Sequence, residues 1–189
     1  YMVGFNNEGY DYPLTDCLMN AADMNAEVAY YKTQEIIGTD WDDRFKHIIW
    51  PDQQIVPQID LFKIHHFDNV SRSTSLKMLE FNMGSESVRD LPFPPGTVLT
   101  SDQIDMLLEY NLHDVMETWK FYLASKPKIQ FRLEMETKHG IKFMNSNDTK
   151  MGADYFALKL EQAGVKCFTT QPKKPIQTWR SSIDLKDCI

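Results

Sequence analysis

Cysteine is scarce in this sequence, and the cysteines that occur are widely spaced. The 189 residues contain Cys17, Cys167 and Cys188. An odd number at these distances lacks the close pairing that marks a zinc site or a redox-active motif. The sequence therefore excludes a cysteine-based metal framework and favours a protein of a reducing compartment.

Long apolar runs are also missing, and so is an excess of positive charge. No stretch approaches the roughly 20 apolar residues that a membrane-spanning helix needs, and the first residues lack the pattern of a signal peptide. We therefore expect a soluble protein of the cytoplasm. The formal net charge of −7 argues against a surface that coats nucleic acid unspecifically, because such binding needs many Lys and Arg residues. A small cleft in which carboxylates hold cations against a phosphate group is compatible with that charge.

The residues that are present predict an α/β protein with two early strands. Residues 2–5 are apolar and are followed by Asn and Gly residues, which predicts a strand that ends in a loop. Because the chain starts in the middle of this predicted strand, we expect a fragment of a longer protein. The near-continuous apolar run at residues 59–66 predicts a second strand. On such a strand His65 and His66 would point to opposite faces and could not share a metal.

Apolar residues at helical spacing predict helices in the rest of the chain. Pro13 suits the first turn of a helix, and Thr100 with Gln103 forms a capping box before the longest predicted helix. Residues 91–96 are predicted as a rigid connector because they contain three prolines and a glycine. Residues 169–189 are predicted as an extended tail or an edge strand. One apolar stripe predicts helix over about residues 13–37, with a break into two helices near residue 23 as the alternative, and the other predicted helices cover about residues 76–83, 101–124, 129–139 and 153–163.

Two acidic positions are each accompanied by an aromatic hydroxyl, in Asn7-Glu8-Gly9-Tyr10-Asp11 and in Tyr110-Asn111-Leu112-His113-Asp114. Residues four apart lie on one helical face, so Tyr110 and Asp114 can present a phenol and a carboxylate to the same space. Cutting a phosphodiester with two metals needs carboxylates for the cations and a group that orients the attacking water. Asp11 and Asp114 are therefore candidate metal ligands, and Tyr110 is a candidate for positioning the water. The alternative for Asp11 is a helix-capping carboxylate, and the alternative for Tyr110 and Asp114 is an exposed helix-surface pair.

These segments resemble the exonuclease domain of family-B-like and phage DNA polymerases, whose second motif is Asn-x-x-Tyr-Asp and whose third is Tyr-x-x-x-Asp. The context is similar too, since residues 59–64 resemble the strand between the motifs and residues 141–161 resemble the region that follows the domain. The resemblance implies a DEDDy-type, RNase H-like α/β fold, in which helices flank a mixed sheet, over residues 1–125. A mostly helical extension with an extended tail is then expected over residues 126–189.

The resemblance also implies an activity, which is the proofreading-type, metal-dependent removal of nucleotides from the 3′ end of single-stranded DNA. It implies catalytic roles for Asp11, Tyr110 and Asp114, substrate contacts for Asn7 and Tyr10, and Mg²⁺ or Mn²⁺ ions held by Asp114 and Asp11. Expected partners are a single-stranded DNA 3′ end and a polymerase domain or other replication proteins in the cytoplasm of a bacterial host. No membrane partner is expected.

The sequence departs from this family at the first motif. The family has Asp-x-Glu on a strand before the second motif, and no such motif stands before Asn7. Because one carboxylate is a poor Mg²⁺ site, we expect an incomplete two-metal site and impaired cleavage by this chain. The alternative is a non-catalytic RNase H-like module that binds nucleic acid or protein in a replication assembly, and a third hypothesis is a structural domain with coincidental motifs. Asp60 is predicted to be a structural hydrogen-bonding residue rather than a substitute acid.

Overall fold

A computed structural model describes residues 1–23, 25–43 and 45–167, apart from the side chain of Trp41. The predicted tail, residues 169–189, lies outside the described residues. Single turns of 3₁₀ helix occur at Trp41–Asp43 and Val70–Arg72. In chain order the strands and α-helices are β1 (Met2–Gly4), α1 (Asp11–Asn20), α2 (Ala26–Ile37), β2 (Gln58–Asp60), α3 (Leu61–Ile64), α4 (Leu76–Asn82), α5 (Ser101–His139) and α6 (Asp148–Gln162).

The two strands form a parallel pair. Met2 lies opposite Gln58 and Gly4 lies opposite Asp60. The first predicted strand is confirmed. Within the described residues the sheet consists of β1 and β2, and the RNase H-like fold stays a prediction.

The second strand is shorter than the apolar run at residues 59–66 predicts. It ends at Asp60, whose Oδ1 accepts a hydrogen bond of 3.0 Å from the N–H of Phe62 and so caps α3. Leu61 and Ile64 are both buried, at the spacing of one helical face. A continuous apolar run fits a buried strand and a buried helical turn equally well, and here the Asp60 cap decides for the helix.

The prediction that His65 and His66 alternate across a strand is therefore wrong. His65 is the C-cap of α3. His66 follows with φ of 62°, in the left-handed region, and its Nδ1 lies 2.9 Å from Asn147 Nδ2. The left-handed residue turns the chain away from the helix axis.

The hydrophobic core fixes β1 beside α5. Phe5 follows β1, and its ring lies 5.2 Å from that of Phe62 and 6.2 Å from that of Phe121 on α5, centroid to centroid. Burying an apolar side chain of this size stabilises the fold by about 1.5–3 kcal/mol. The buried members of the core are Ile59, Leu61, Ile64, Leu79, Phe121, Ile129 and Met144.

Both ends of α5 lie where the sequence predicts a helix start and a helix end. At its start the N–H of Thr100 donates to Gln103 Oε1 at 2.9 Å, as the predicted capping box requires. At its end Gly140 adopts φ of 70°, the left-handed conformation in which glycine is favoured.

The prediction of two helices separated near Pro127 is wrong, because α5 continues through this residue. A proline inside a helix leaves one carbonyl without its N–H partner. Burial of one face on both sides of the proline compensates, since Phe121, Ser125, Ile129 and Arg132 follow one another at helical spacing. The helix thus crosses the predicted boundary between residues 125 and 126 without a break.

The chain divides into two compact units, Tyr1–Met151 and Gly152–Ile189. The predicted helix near residues 153–163 is present but begins earlier, at Asp148. In the second unit the thiol of Cys167 lies 3.4 Å from the carbonyl oxygen of Ala157. In the described part of the chain, no helix combines the length and the apolar character that crossing a membrane requires.

Candidate functional site

The loop between β1 and α1 carries the first predicted motif, and the buried carboxylate of Asp60 holds its backbone. Asp60 Oδ1 accepts a hydrogen bond from the N–H of Asn6 at 2.9 Å, and Oδ2 accepts one from the N–H of Glu8 at 3.2 Å. Asn6 has φ of 63°, a conformation that asparagine adopts more readily than most residues. Asn7 is therefore held between two anchored neighbours.

The side chain of Asn7 is fully buried. Its Nδ2 donates to Gln58 Oε1 on β2 at 2.7 Å, whereas its Oδ1 has no hydrogen-bond partner among the described residues. Gly4 permits this packing, because a Cβ at that position would lie 2.7 Å from the Cβ of Asn7. A buried oxygen without a donor is costly, so Asn7 Oδ1 is suited to accept a hydrogen bond from a bound molecule.

A cleft of about 430 Å³ lies between β1 and α5. Asn7 and Asp11 line it from the side of β1 and α1, and Asn111, Asp114 and Thr118 line it from α5. Polar and acidic side chains that are distant in sequence thus meet around one space. Carboxylate and amide oxygens of this kind accept hydrogen bonds or bind hard cations.

Another part of the same cleft is aromatic. Trp119 and Tyr122 both line it, and their rings stack with centroids 5.1 Å apart. Half of the Trp119 side-chain surface stays exposed, at 51%. Exposed aromatic faces are the surfaces on which proteins stack nucleobases.

Tyr110 lies one helical turn from the cleft residue Asp114, and its surroundings keep it neutral. Burial raises the pKa of Tyr110, and the negative charge of Asp114 raises it further. Tyr110 therefore remains a phenol that can donate a hydrogen bond at neutral pH. Loss of solvation also raises the pKa of Asp11, against a smaller lowering by a hydrogen bond to its own backbone.

The structure brings three of the five predicted site residues to the cleft, namely Asn7, Asp11 and Asp114. Among the described residues, the cleft lining includes neither Tyr10 nor Tyr110. Tyr110 lies one helical turn before Asp114 on α5. The hydroxyl of Tyr10 lies 3.4 Å from Thr33 Oγ1 on α2, so its observed contact is structural.

Glu8 and Asp60 belong to a buried polar network under the loop. Asn145 connects them, since its Oδ1 accepts from the N–H of Asp60 at 2.9 Å and its Nδ2 donates to Glu8 Oε1 at 2.7 Å. Burial raises the pKa of Asp60 to about 6, although the N–H of Glu8 and the charge of Lys63 lower it in part. Both carboxylate oxygens of Asp60 accept backbone hydrogen bonds, which confirms the predicted structural role.

The described residues do not fit a complete two-metal centre. No group of three or more His, Cys, Asp or Glu side chains in the described part of the chain could hold a metal ion. Asp11 and Asp114 share the cleft, but two Mg²⁺ or Mn²⁺ ions need more carboxylates than these. The two predicted ligands therefore supply part of such a centre.

Four polar or aromatic residues of α5 that line the cleft were not predicted from the sequence, namely Asn111, Thr118, Trp119 and Tyr122. A signal for three of them was present, because residues 111, 114, 118 and 122 recur at steps of three or four and share one face of a helix. Extending the face of Asp114 along α5 would have found Asn111, Thr118 and Tyr122.

Comparisons of this chain with protein-family models, with curated proteins and with solved structures found no match. The resemblance to polymerase exonuclease domains therefore rests on the two motifs and their context.

Proposed function

We propose that this chain is a DEDDy-type 3′–5′ exonuclease module of a phage-like DNA polymerase, and that the cleft between β1 and α5 receives the 3′ end of single-stranded DNA. One observation carries the proposal. Asp11 and Asp114, which come from separate motifs, line one cleft together with Asn7. These are positions to which the resemblance assigns metal and substrate contacts.

The cleft residues suit a nucleotide. Asn7 Oδ1 offers an acceptor without a partner to a hydroxyl or amino group of the terminal nucleotide. The half-exposed ring of Trp119, which stacks on Tyr122, suits a stacked base. The neutral phenol of Tyr110, one turn from Asp114, suits the orientation of a water molecule.

Cleavage needs Mg²⁺ or Mn²⁺, and Asp11 and Asp114 supply only part of the ligand set. In the family that the motifs resemble, the remaining carboxylates are those of an Asp-x-Glu motif. We therefore expect this chain to recognise 3′ ends and to cleave them weakly or not at all.

Digestion of 3′-labelled single-stranded DNA in Mn²⁺ tests the proposal, with Asp114→Ala beside Asp105→Ala, an exposed acid on the same helix. Cleavage that only Asp114→Ala abolishes would support it and would mean that another acid completes the site. Cleavage that both variants retain would contradict it. Without cleavage, the proposal stands only if the chain prefers DNA with a free 3′ end.

A non-catalytic module that binds a protein partner is a second candidate, and an exposed apolar stripe on α5 favours it. Contiguous exposed apolar surface is a feature of interaction sites. The stripe consists of Ile104, Leu108, Leu112, Val115, Met116 and Trp119. A module of this kind would bind linear and circular DNA equally weakly.

A further inference from the structure

A second pocket, of about 480 Å³, lies between α5 and the segment that follows α4. We call it the acidic pocket. Its polar lining consists of Ser85, Glu86, Ser87, His113, Glu117 and Lys120. None of these residues lines the cleft described above. Its volume lies in the range of about 300–1,000 Å³ that is usual for small-molecule sites.

Glu117 is the central group of the acidic pocket. It is 2% exposed. Lys120 Nζ donates to its Oε1 at 2.6 Å, and its Oε2 has no hydrogen-bond partner among the described residues. Burial raises the pKa of Glu117, but hydrogen bonds from Lys120 and Ser85 and the charges of Lys120 and His113 together lower it by more. The pocket therefore contains a buried carboxylate ion with one unused acceptor oxygen.

A second buried carboxylate, that of Glu80, contacts the pocket residue His113. Glu80 is fully buried, its Oε2 lies 3.3 Å from His113 Nε2, and its Oε1 has no partner among the described residues. The carboxylates of Glu80 and Glu117 thus each retain a free oxygen. Because an unsatisfied buried carboxylate oxygen is costly, this arrangement favours a positively charged guest.

The hydrogen-bonding groups that line the pocket indicate the chemistry of the guest. A bound metal ion needs several converging ligands, and no group of three or more His, Cys, Asp or Glu side chains in the described residues offers them. The carboxylate of Glu117 and the hydroxyls of Ser85 and Ser87 instead accept hydrogen bonds from N–H groups. A guanidinium group carries five such donors in a planar fork and is held best by a carboxylate.

We propose that the acidic pocket binds a guanidinium group, with Glu117 Oε2 as its principal acceptor. The guanidinium belongs either to a small molecule or to an arginine side chain of a protein. The Lys120 ammonium occupies Glu117 Oε1 and competes with the guest for the same carboxylate. The proposal does not rest on the exonuclease function.

Calorimetric titration of the purified chain with agmatine tests the proposal. Glu117→Gln keeps the shape of the side chain and removes its charge, and it is expected to weaken binding at least about tenfold. Glu134→Gln, an exposed glutamate on the same helix, is the matched control and is expected to bind like the unmodified chain. Equal binding by Glu117→Gln would overturn the proposal, and so would no binding of agmatine or of an arginine peptide to the unmodified chain.

Lys120→Met separates the proposal from a loss of folding. It removes the competing ammonium, so agmatine is expected to bind several-fold more tightly, a gain that an unfolded variant could not give. Weaker binding by this variant would contradict the assigned geometry. An arginine peptide and its citrulline counterpart distinguish the sources: a peptide that binds more tightly than agmatine, and only with arginine, indicates a protein guest.

Discussion

Lys63 Nζ lies 2.6 Å from Glu8 Oε2, an ion pair that joins α3 to the loop carrying the first motif. Glu8 is 5% exposed. Removing the cation leaves the buried charge of Glu8 with only the neutral amide donors of Asn145 and Gln54, and loss of one partner of a buried ion pair is strongly destabilising.

The ion pair gives the first prediction. Lys63→Met is expected to lower the free energy of unfolding by about 3 kcal/mol. Lys77→Met removes a cation from a pair with Asp90 in which both partners are more exposed, and it is expected to destabilise the chain far less than Lys63→Met. Urea denaturation followed by circular dichroism measures both values. Equal costs for the two variants would mean that Lys63 does not stabilise the buried charge of Glu8.

The pH dependence of stability contains two opposing contributions. Burial raises the pKa of Asp60 from 3.8 to about 6, so the folded chain holds a proton that the unfolded chain has lost, and stability falls as the pH rises through this range. Burial and the charges of Lys128 and Arg132 lower the pKa of His65 from 6.5 to about 4. The unfolded chain then binds the proton more readily, and stability falls as the pH falls.

Two variants separate these contributions. The change in the free energy of unfolding between pH 7 and pH 5 is compared for each chain. For His65→Phe this change is expected to be more favourable than for the unmodified chain by about 1 kcal/mol, a value reduced for the partial exposure of His65. Asp60→Asn is expected to show the opposite difference. Urea denaturation at both pH values is the measurement. Parallel pH profiles for all three chains would show that neither group titrates as described.

Substitution by alanine is expected to have opposite effects on stability at two glycines, Gly140 and Gly152. Gly140 has φ of 70°, so Gly140→Ala is expected to destabilise the chain by about 1 kcal/mol because a Cβ disfavours this conformation. Gly152 lies inside α6, and a Cβ there would meet nothing within 4 Å. Gly152→Ala is expected to raise the local helix stability by about 0.5–1 kcal/mol. Hydrogen exchange at each helix detects both changes, and destabilisation by both substitutions would contradict the assignment.

The sequence predicts a helix or strand boundary where a local sequence signal determines that boundary. The capping box at Thr100 and the glycine at position 140 are local, and both ends of α5 were predicted from them. The end of β2 at Asp60 was not predicted although its cap is local, because a continuous apolar run fits a strand and a helical turn alike. The continuity through Pro127 was not predicted because packing around buried residues such as Ile129 decides it. Burial of this kind cannot be read from a single segment.

In the candidate site, too, some features follow from local motifs and others depend on packing. The positions of Asp11 and Asp114 were predicted from motifs, and their meeting in one cleft depends on how β1 packs beside α5. The hydrogen bond between Tyr10 and Thr33 depends on a contact between α1 and α2 that no motif predicts.

The aromatic part of the cleft gives a binding prediction. Trp119→Ala is expected to weaken the binding of single-stranded DNA about tenfold, since one stacked base contributes about 1–3 kcal/mol. Phe131→Ala is the matched control, because Phe131 lies on the same helix, is 53% exposed and is not part of the cleft lining among the described residues. Fluorescence anisotropy measures both affinities. Equal losses would mean that the bases stack elsewhere.

The most direct test of the exonuclease proposal compares linear single-stranded DNA with circular DNA of the same sequence, by anisotropy in Mn²⁺. A site for the 3′ end is expected to favour the linear DNA about tenfold, a difference that one good hydrogen-bonding contact to the terminus can supply. Asp114→Asn is expected to remove this preference, and Asp105→Asn is expected to keep it. Equal affinity of the unmodified chain for linear and circular DNA would contradict the proposal that the cleft between β1 and α5 receives a 3′ end.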